Sequence, residues 1–106
     1  MCCVLAACSS LVIELPIISA PEPLKAVEGA KKAAAVEKLV GLLEISAVRE
    51  AHPLSPGPYI LCIRGGVSDT ALRHTYAVFF KNDVYVGTRM SVMVDNCDAQ
   101  VFAPLT

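Results

Sequence analysis

The spacing of apolar and polar residues in the first half of the chain predicts one amphipathic helix. Strong helix formers fill residues 24–40, and the lysines and glutamates among them are spaced so that they can face solvent. Apolar residues recur three or four positions apart at Val27, Ala30 and Ala34. Pro23 suits a first helical turn and Gly41 suits the end, so we expect a helix with one packed face.

The helical period then gives way to short segments. Residues 44–50 predict a short strand or an irregular lead-in to one. Residues 52–58 contain Pro53, Pro56 and Pro58, which exclude regular structure there. We therefore expect a loop at this point, with His52 as an ordinary loop residue.

Strict alternation predicts a strand over residues 59–64. Its two faces would carry Tyr59, Leu61 and Ile63 on one side and Ile60, Cys62 and Arg64 on the other. Gly65 and Gly66 lack the spacing of a phosphate-binding loop, so we expect them to end the strand in a turn.

The remaining apolar segments predict a hairpin and its continuation. Residues 74–80 and 84–86 form two strands joined by a turn at residues 81–83. The apolar pattern continues through residues 90–94, and Gly87 marks either a bulge in one long strand or a break between two. A helix followed by short strands predicts the α+β class, with one amino-terminal helix packed on a small antiparallel meander of three or four strands.

Composition and charge narrow the range of functions. A chain of 106 residues with 55% hydrophobic and 18% charged residues is long and apolar enough for one domain with a core. The net charge of -1 lacks the basic excess that nucleic-acid binding needs. Nucleic acid is therefore not an expected partner.

Three of the five cysteines lie at the start of the chain, at Cys2, Cys3 and Cys8. The residues before Cys8 are uncharged and end in two small side chains, as at a secretory processing site. Leu5-Ala6-Ala7-Cys8 resembles the lipobox of bacterial lipoproteins. The resemblance implies that Cys8 becomes the first residue of the mature protein and carries the acyl chains that anchor it to a membrane. Ser9 would, by the sorting habit of that family, direct it to the outer membrane, facing the periplasm.

The segment departs from the family because nothing basic precedes Cys8, which we interpret as a start codon assigned too far downstream. Alternatively, the early cysteines are simply apolar residues of a buried segment. Residues 1–13 are too few for a membrane-spanning helix. We divide the chain into a truncated signal with its lipidation site (1–8), a tether (9–23) and one α+β domain (24–106). The apolar parts of the tether would otherwise add an edge strand or rest on a membrane surface.

The second half of the chain resembles short envelope lipoproteins of alphaproteobacteria whose function is unknown. The likeness rests on residues 58–64, residues 76–80, Arg89 and residues 95–97. Export would place Cys62 and Cys97 in an oxidising compartment, where we expect a disulfide that joins the two ends of the sheet. Without export they would be two buried free thiols.

Three constellations offer chemistry, and each has a simpler interpretation. Asp95, Cys97 and Asp98 have side chains that could bind a cation, but their sequence is more typical of a polar turn after a strand. Ser91, His74 and Asp95 supply the residue types of a hydrolytic triad without a nucleophile elbow. The third constellation is Arg64 and Arg89, which would bind an acidic ligand or form ion pairs near Asp95.

We therefore expect a small envelope lipoprotein with a non-catalytic binding or structural role in the periplasm. No catalytic residue, cofactor or metal is predicted, and the expected partners are the membrane, through the lipid, and other envelope proteins. The alternative is a soluble cytosolic domain with free thiols that serves as a subunit of a complex. A thiol redox protein using Cys62 and Cys97 is less favoured, because redox catalysts prefer the Cys-x-x-Cys spacing.

Overall fold

A computed structural model describes residues 19–67 and 73–105, where one α-helix is followed by six β-strands and two 3₁₀ turns. The helix is α1 (Pro23–Val36). The strands are β1 (Leu39–Ile45), β2 (Arg49–Glu50), β3 (Tyr59–Val67), β4 (Arg73–Lys81), β5 (Val84–Met90) and β6 (Ala103–Pro104). The 3₁₀ turns are Met93–Asp95 and Cys97–Ala99.

All strand pairs of the sheet are antiparallel. The order is β5-β4-β3-β1-β6, and β2 pairs with β3 beyond the end of β1. The predicted α+β architecture, a helix packed on an antiparallel sheet, is confirmed. The predicted three or four strands are too few, because β2 and β6 each consist of two residues and give no periodic signal. The helix precedes every strand of the described residues, and its amino-terminal place in the whole chain stays a prediction.

The helix ends four residues before the predicted end at Val40. The N–H groups of Glu37 and Lys38 donate to Ala33 and Ala35, and Lys38 adopts a left-handed conformation with φ of 56°. This conformation turns the chain out of the helix. The residues from Leu39 onward form β1 instead, so the predicted helix over residues 24–40 is correct only as far as Val36.

Two glycines explain why β1 is a strand. Gly41 has φ of 75°, which only glycine adopts freely, and it lies within the irregular stretch of the β1–β3 pairing. Gly65 lies under Leu39 and Leu43, where a Cβ would come within 2.8 Å of the Leu43 side chain. The predicted turn at Gly65 and Gly66 is therefore wrong, since both residues continue β3 and allow β1 to pack closely.

The helix packs on one face of the sheet, which we call the helix face. Its buried residues are Ala26, Ala30, Ala33 and Ala34 from α1, Leu61 and Ile63 from β3, and Tyr76, Val78 and Phe80 from β4. Alanine side chains keep the helix axis close to the sheet. Gly29 brings it closer still, because a Cβ there would lie 2.5 Å from the Phe80 ring.

The opposite face, which we call the cysteine face, has a separate core. Ile60, Cys62, Ala77, Phe79 and Cys97 are buried there, with Ala51 and Phe102 packed against them. The predicted alternation over residues 59–64 is confirmed, since the two sets of side chains lie on opposite faces. Residues 91–102, which we call the cover segment, bring Cys97 and Phe102 onto this face.

The hairpin of β4 and β5 matches its prediction at the turn and at Gly87, and it differs from the prediction after Met90. Asn82 occupies the left-handed conformation in the turn, and β5 runs through Gly87 without a break. The pairing shifts by one residue between Phe79 and Phe80, so Gly87 lies beside a bulge. The predicted strand over residues 90–94 is wrong, because β5 ends at Met90 and a 3₁₀ turn follows.

We expect replacement of Gly29 by alanine to destabilise the protein, although alanine normally stabilises a helix interior by about 1 kcal/mol. The new methyl group would lie 2.5 Å from the Phe80 ring, which is fully buried. Overpacking of this kind costs about 1–3 kcal/mol, which outweighs the gain in helix propensity, so the free energy of unfolding in urea should fall by up to about 2 kcal/mol. Gly87→Ala is the matched control, because nothing lies within 4 Å of its added Cβ. A G29A protein more stable than wild type would contradict the close packing of helix and sheet.

Candidate functional site

The cysteine face brings the two distant cysteines together. Cys62 lies in the middle of β3 and Cys97 in the second 3₁₀ turn, and their Sγ atoms are at disulfide-bond distance. Both residues are at most 2% exposed. Ser46 fixes the backbone of Cys62, because its N–H donates to the Cys62 carbonyl at 2.9 Å and its Oγ accepts from the Cys62 N–H at 2.8 Å.

The cysteine pair connects different parts of the fold from those predicted. The sequence predicts Cys62 in the first clear strand and Cys97 just beyond the last, so that the pair joins the two ends of the sheet if those strands lie side by side. In the structure β4 separates β3 from β5, and Cys97 reaches Cys62 from the cover segment across the cysteine face. The pair therefore fastens an irregular segment to the sheet instead of joining two strands.

An ion pair lies beside the cysteines. The Asp95 carboxylate is fully buried and accepts from Arg89 at 2.7 Å (Nη2) and 3.2 Å (Nε), and from the Val92 N–H at 2.9 Å. The hydrogen bond that Arg89 donates to Asp95 raises the pKa of Arg89 above its ordinary value, against partial desolvation. The Arg89 guanidinium also lies 5.0 Å from the centre of the Phe79 ring, which favours a cation–π contact.

Arg49 completes this cluster from the short strand β2. Its guanidinium donates to the backbone carbonyl of Asp95 and lies 3.5 Å from the Sγ atom of Cys62. Partial burial lowers the pKa of Arg49 from its usual value, and the charge of Asp95 opposes that effect. Arg49 is not among the residues predicted from the sequence, because nothing in its local pattern distinguishes it from a solvated arginine.

This cluster suits a structural bridge better than redox catalysis. A guanidinium beside a sulfur favours the thiolate form, which is one requirement of a reactive cysteine. Catalytic thiols also need access for a second thiol, whereas Cys62 and Cys97 are covered by the sheet and the cover segment. The arrangement can therefore hold the fold closed, and it offers no open sulfur for exchange.

A second charged cluster lies at the β1 side of the same face. Glu44 accepts from Arg64 and from Arg73, both at 2.9 Å, and Arg73 also donates to the Leu42 carbonyl at 2.9 Å. The Arg64 guanidinium lies 4.3 Å from the centre of the Phe102 ring. Arg64 therefore pairs with Glu44, and only Arg89 of the two predicted arginines lies near Asp95.

An open cleft of about 660 Å³ lies along the proline loop. Glu50, His52, Ser55 and Lys81 are among its lining residues. His52 is a loop residue, as predicted, and its Nδ1 atom accepts from the Leu54 N–H at 3.1 Å. The Ser55 Oγ atom is buried and has no hydrogen-bond partner among the described residues, so the cleft combines apolar proline walls with a few polar groups.

The other candidate constellations are not assembled as active sites. The Asp95 carboxylate accepts hydrogen bonds from Arg89 and from the Val92 N–H. It is therefore not directed toward a cation site with Cys97 and Asp98 or toward a triad with His74. Across residues 19–67 and 73–105, no three His, Cys, Asp or Glu side chains meet as metal ligands. The predicted lipidation site, Cys8, lies outside the described residues.

Comparisons with known proteins identify no relative of this chain. No family model matches the chain, and searches of curated proteins and of solved structures find no match.

We expect the Cys62–Cys97 pair to contribute a large part of the stability. The two residues are separated by 35 positions, and closing a loop of this length stabilises a fold by about 4 kcal/mol in the chain-entropy model. Urea unfolding of the oxidised protein should show that loss both on reduction and in the double variant Cys62→Ala, Cys97→Ala. Cys8→Ala is the control and should keep the full response to reductant. Equal stability of oxidised and reduced wild type would contradict this role.

We expect Glu44 to make stability depend on acid pH. The hydrogen bond from Arg64, with the charges of Arg64 and Arg73, lowers the pKa of Glu44 below its ordinary value of 4.5. A folded-state pKa below the unfolded one stabilises the fold above pH 4.5, and this stabilisation is lost as the pH falls through the folded-state value. Wild type should therefore exceed Glu44→Gln in free energy of unfolding at neutral pH and match it in acid.

The matched control for this experiment is Glu50→Gln, which removes a glutamate carboxylate at an exposed position of β2. No ion pair of Glu50 with an arginine is found among residues 19–67 and 73–105, so this variant shows how far the loss of a carboxylate by itself changes the free energy of unfolding. A difference between wild type and Glu44→Gln that stays constant from neutral to acid pH would show that the arginine contacts do not act on the charge of Glu44.

Proposed function

We propose that this protein is a small envelope lipoprotein, lipidated at Cys8, that presents a disulfide-closed α+β domain in the periplasm for a non-catalytic binding or structural role. The single observation that carries the proposal is the buried Cys62–Cys97 pair at bond distance. Reducing systems of the cytosol keep such pairs as thiols, whereas the periplasm oxidises them. A domain built around this pair is suited to an exported protein.

The proposed attachment follows from the sequence. Leu5-Ala6-Ala7-Cys8 supplies a thiol after small residues, and two or more acyl chains on that thiol would give stable membrane binding. Among the described residues, no helix has the length and apolar character needed to cross a membrane. The proposed location is the outer membrane, with the domain facing the periplasm.

The proposed non-catalytic role rests on how the charged side chains are used. The carboxylates of Asp95 and Glu44 both accept from arginines, and their oxygens are directed at those partners. Charges arranged in this way stabilise the cysteine face. The cleft along the proline loop is the described concavity that would suit a partner segment, because prolines give it stiff walls.

We expect the protein from the membrane fraction of its native host to begin at Cys8 and to carry acyl groups. Its intact mass should rise by two protons on reduction, because one disulfide opens. The Cys8→Ser variant should lose the acyl mass and leave the membrane fraction, while still gaining two protons if it is exported by another route.

Two other results would overturn parts of this proposal. An unprocessed soluble chain with all thiols free would favour the cytosolic subunit. An acylated chain with free Cys62 and Cys97 would keep the anchor and remove the oxidised domain, so the two parts are tested separately.

A further inference from the structure

The edge strand β5 carries an unusual set of side chains. It pairs with β4 on one side, and no other described strand lies along its outer edge. Val84, Val86 and Met90 are 62%, 43% and 55% exposed. Edge strands normally carry charge or proline that prevents pairing with other chains. The single charged residue of β5, Arg89, is directed to Asp95 on the cysteine face, so it does not protect the edge.

The chain enters the described domain at the start of this edge. The Ser19 N–H donates to the Asn82 side chain at 3.0 Å, and the Glu22 N–H donates to the Asp83 carboxylate at 2.9 Å. Asn82 and Asp83 form the turn from which β5 begins. The residues that precede Ser19 are therefore attached beside the first residue of the open edge.

The sequence just before that attachment has the composition of a strand. Residues 11–18 read Leu-Val-Ile-Glu-Leu-Pro-Ile-Ile, which is rich in β-branched residues and contains one charge. Eight residues in extended conformation cover roughly 27 Å, and the seven residues of β5 cover roughly 23 Å. The segment is long enough to follow the whole strand.

We propose that residues 11–18 pair with the outer edge of β5 as a seventh, antiparallel strand of the sheet. The direction follows from the attachment. A chain that reaches Ser19 beside the β4–β5 turn runs toward the turn, whereas β5 runs away from it. Antiparallel pairing therefore needs no crossover connection.

Pro16 fixes which residues of the segment donate to β5. Proline has no N–H, and in a sheet it is tolerated at an edge where its nitrogen faces solvent. The added strand would be the new edge, so the nitrogen of Pro16 faces outward. Alternation along a strand then turns the N–H of Val12 outward as well and directs the N–H of Ile13 toward β5.

A second copy of the chain is the main competing occupant of this edge. The side chains of Asn82 and Asp83 favour the segment, because they hold its carboxyl end beside the edge in every molecule. That attachment raises the effective concentration of the segment far above that of a free partner. Intramolecular pairing also covers the edge of a monomer, which prevents association through it.

The experiment measures amide hydrogen exchange by NMR in the full chain with Cys2, Cys3 and Cys8 replaced by serine, which prevents intermolecular disulfides. The β5 amides that point away from β4 are the reporters. We expect their exchange to be slowed by roughly tenfold or more, the factor that about 1.4 kcal/mol of edge closure gives. Ile13→Pro should remove this protection, because it deletes an N–H that donates to β5.

Val12→Pro is the matched control, since its lost N–H faces solvent and the protection should remain. The inner amides of β4 and β3 should stay protected in both variants, which shows that the domain is folded. Unprotected outer amides in the wild-type sequence would overturn the proposal. Protection that rises with protein concentration would assign the edge to a second copy, and equal protection in both variants would also refute pairing with residues 11–18.

Discussion

The contact between Cys62 and Cys97 is the constraint on which the cysteine face depends. One face of the sheet is covered by a helix, but the other presents Ile60, Cys62 and Phe79 to a segment with little regular structure. Ordering such a segment costs roughly 1–2 kcal/mol of backbone entropy per residue. The cysteine pair offsets part of this cost, because it restricts the segment before folding as well as after it.

The Asp95–Arg89 pair acts on the same segment by a different mechanism. A buried carboxylate is costly unless it is paired and hydrogen-bonded, and Asp95 meets that requirement with Arg89 and with the Val92 N–H. The bond to Val92 also closes the first 3₁₀ turn, which positions Cys97 two residues later. The ion pair and the cysteine pair therefore depend on one another, and we expect their contributions to stability to be non-additive.

The sequence predicts the parts of this fold that depend on local pattern. Alternation over residues 59–64 assigns both faces of β3 correctly, and Cys62 and Cys97 are expected as partners. Local pattern fails where tertiary contact decides. Residues 39–40 continue a helix-forming run, yet their packing over Gly65 and Gly66 makes them part of a strand. Arg49 reaches Asp95 and Cys62 only because the fold brings β2 beside the cover segment, which no spacing in the sequence records.

The two proposals are independent, and together they would orient the domain. Pairing of residues 11–18 along β5 would carry the chain from the turn at Asn82 to the far end of the strand, near Met90. Cys8 would then lie at the end of the molecule where Val92, Met93 and Val94 are 49%, 94% and 53% exposed. Acyl chains on Cys8 would hold these apolar side chains against the membrane. Their exposure, which is unfavourable in water, would then contribute to binding at the interface. Lipidation without strand pairing would leave the domain free to rotate on its tether, so the added strand is what would give it a fixed orientation.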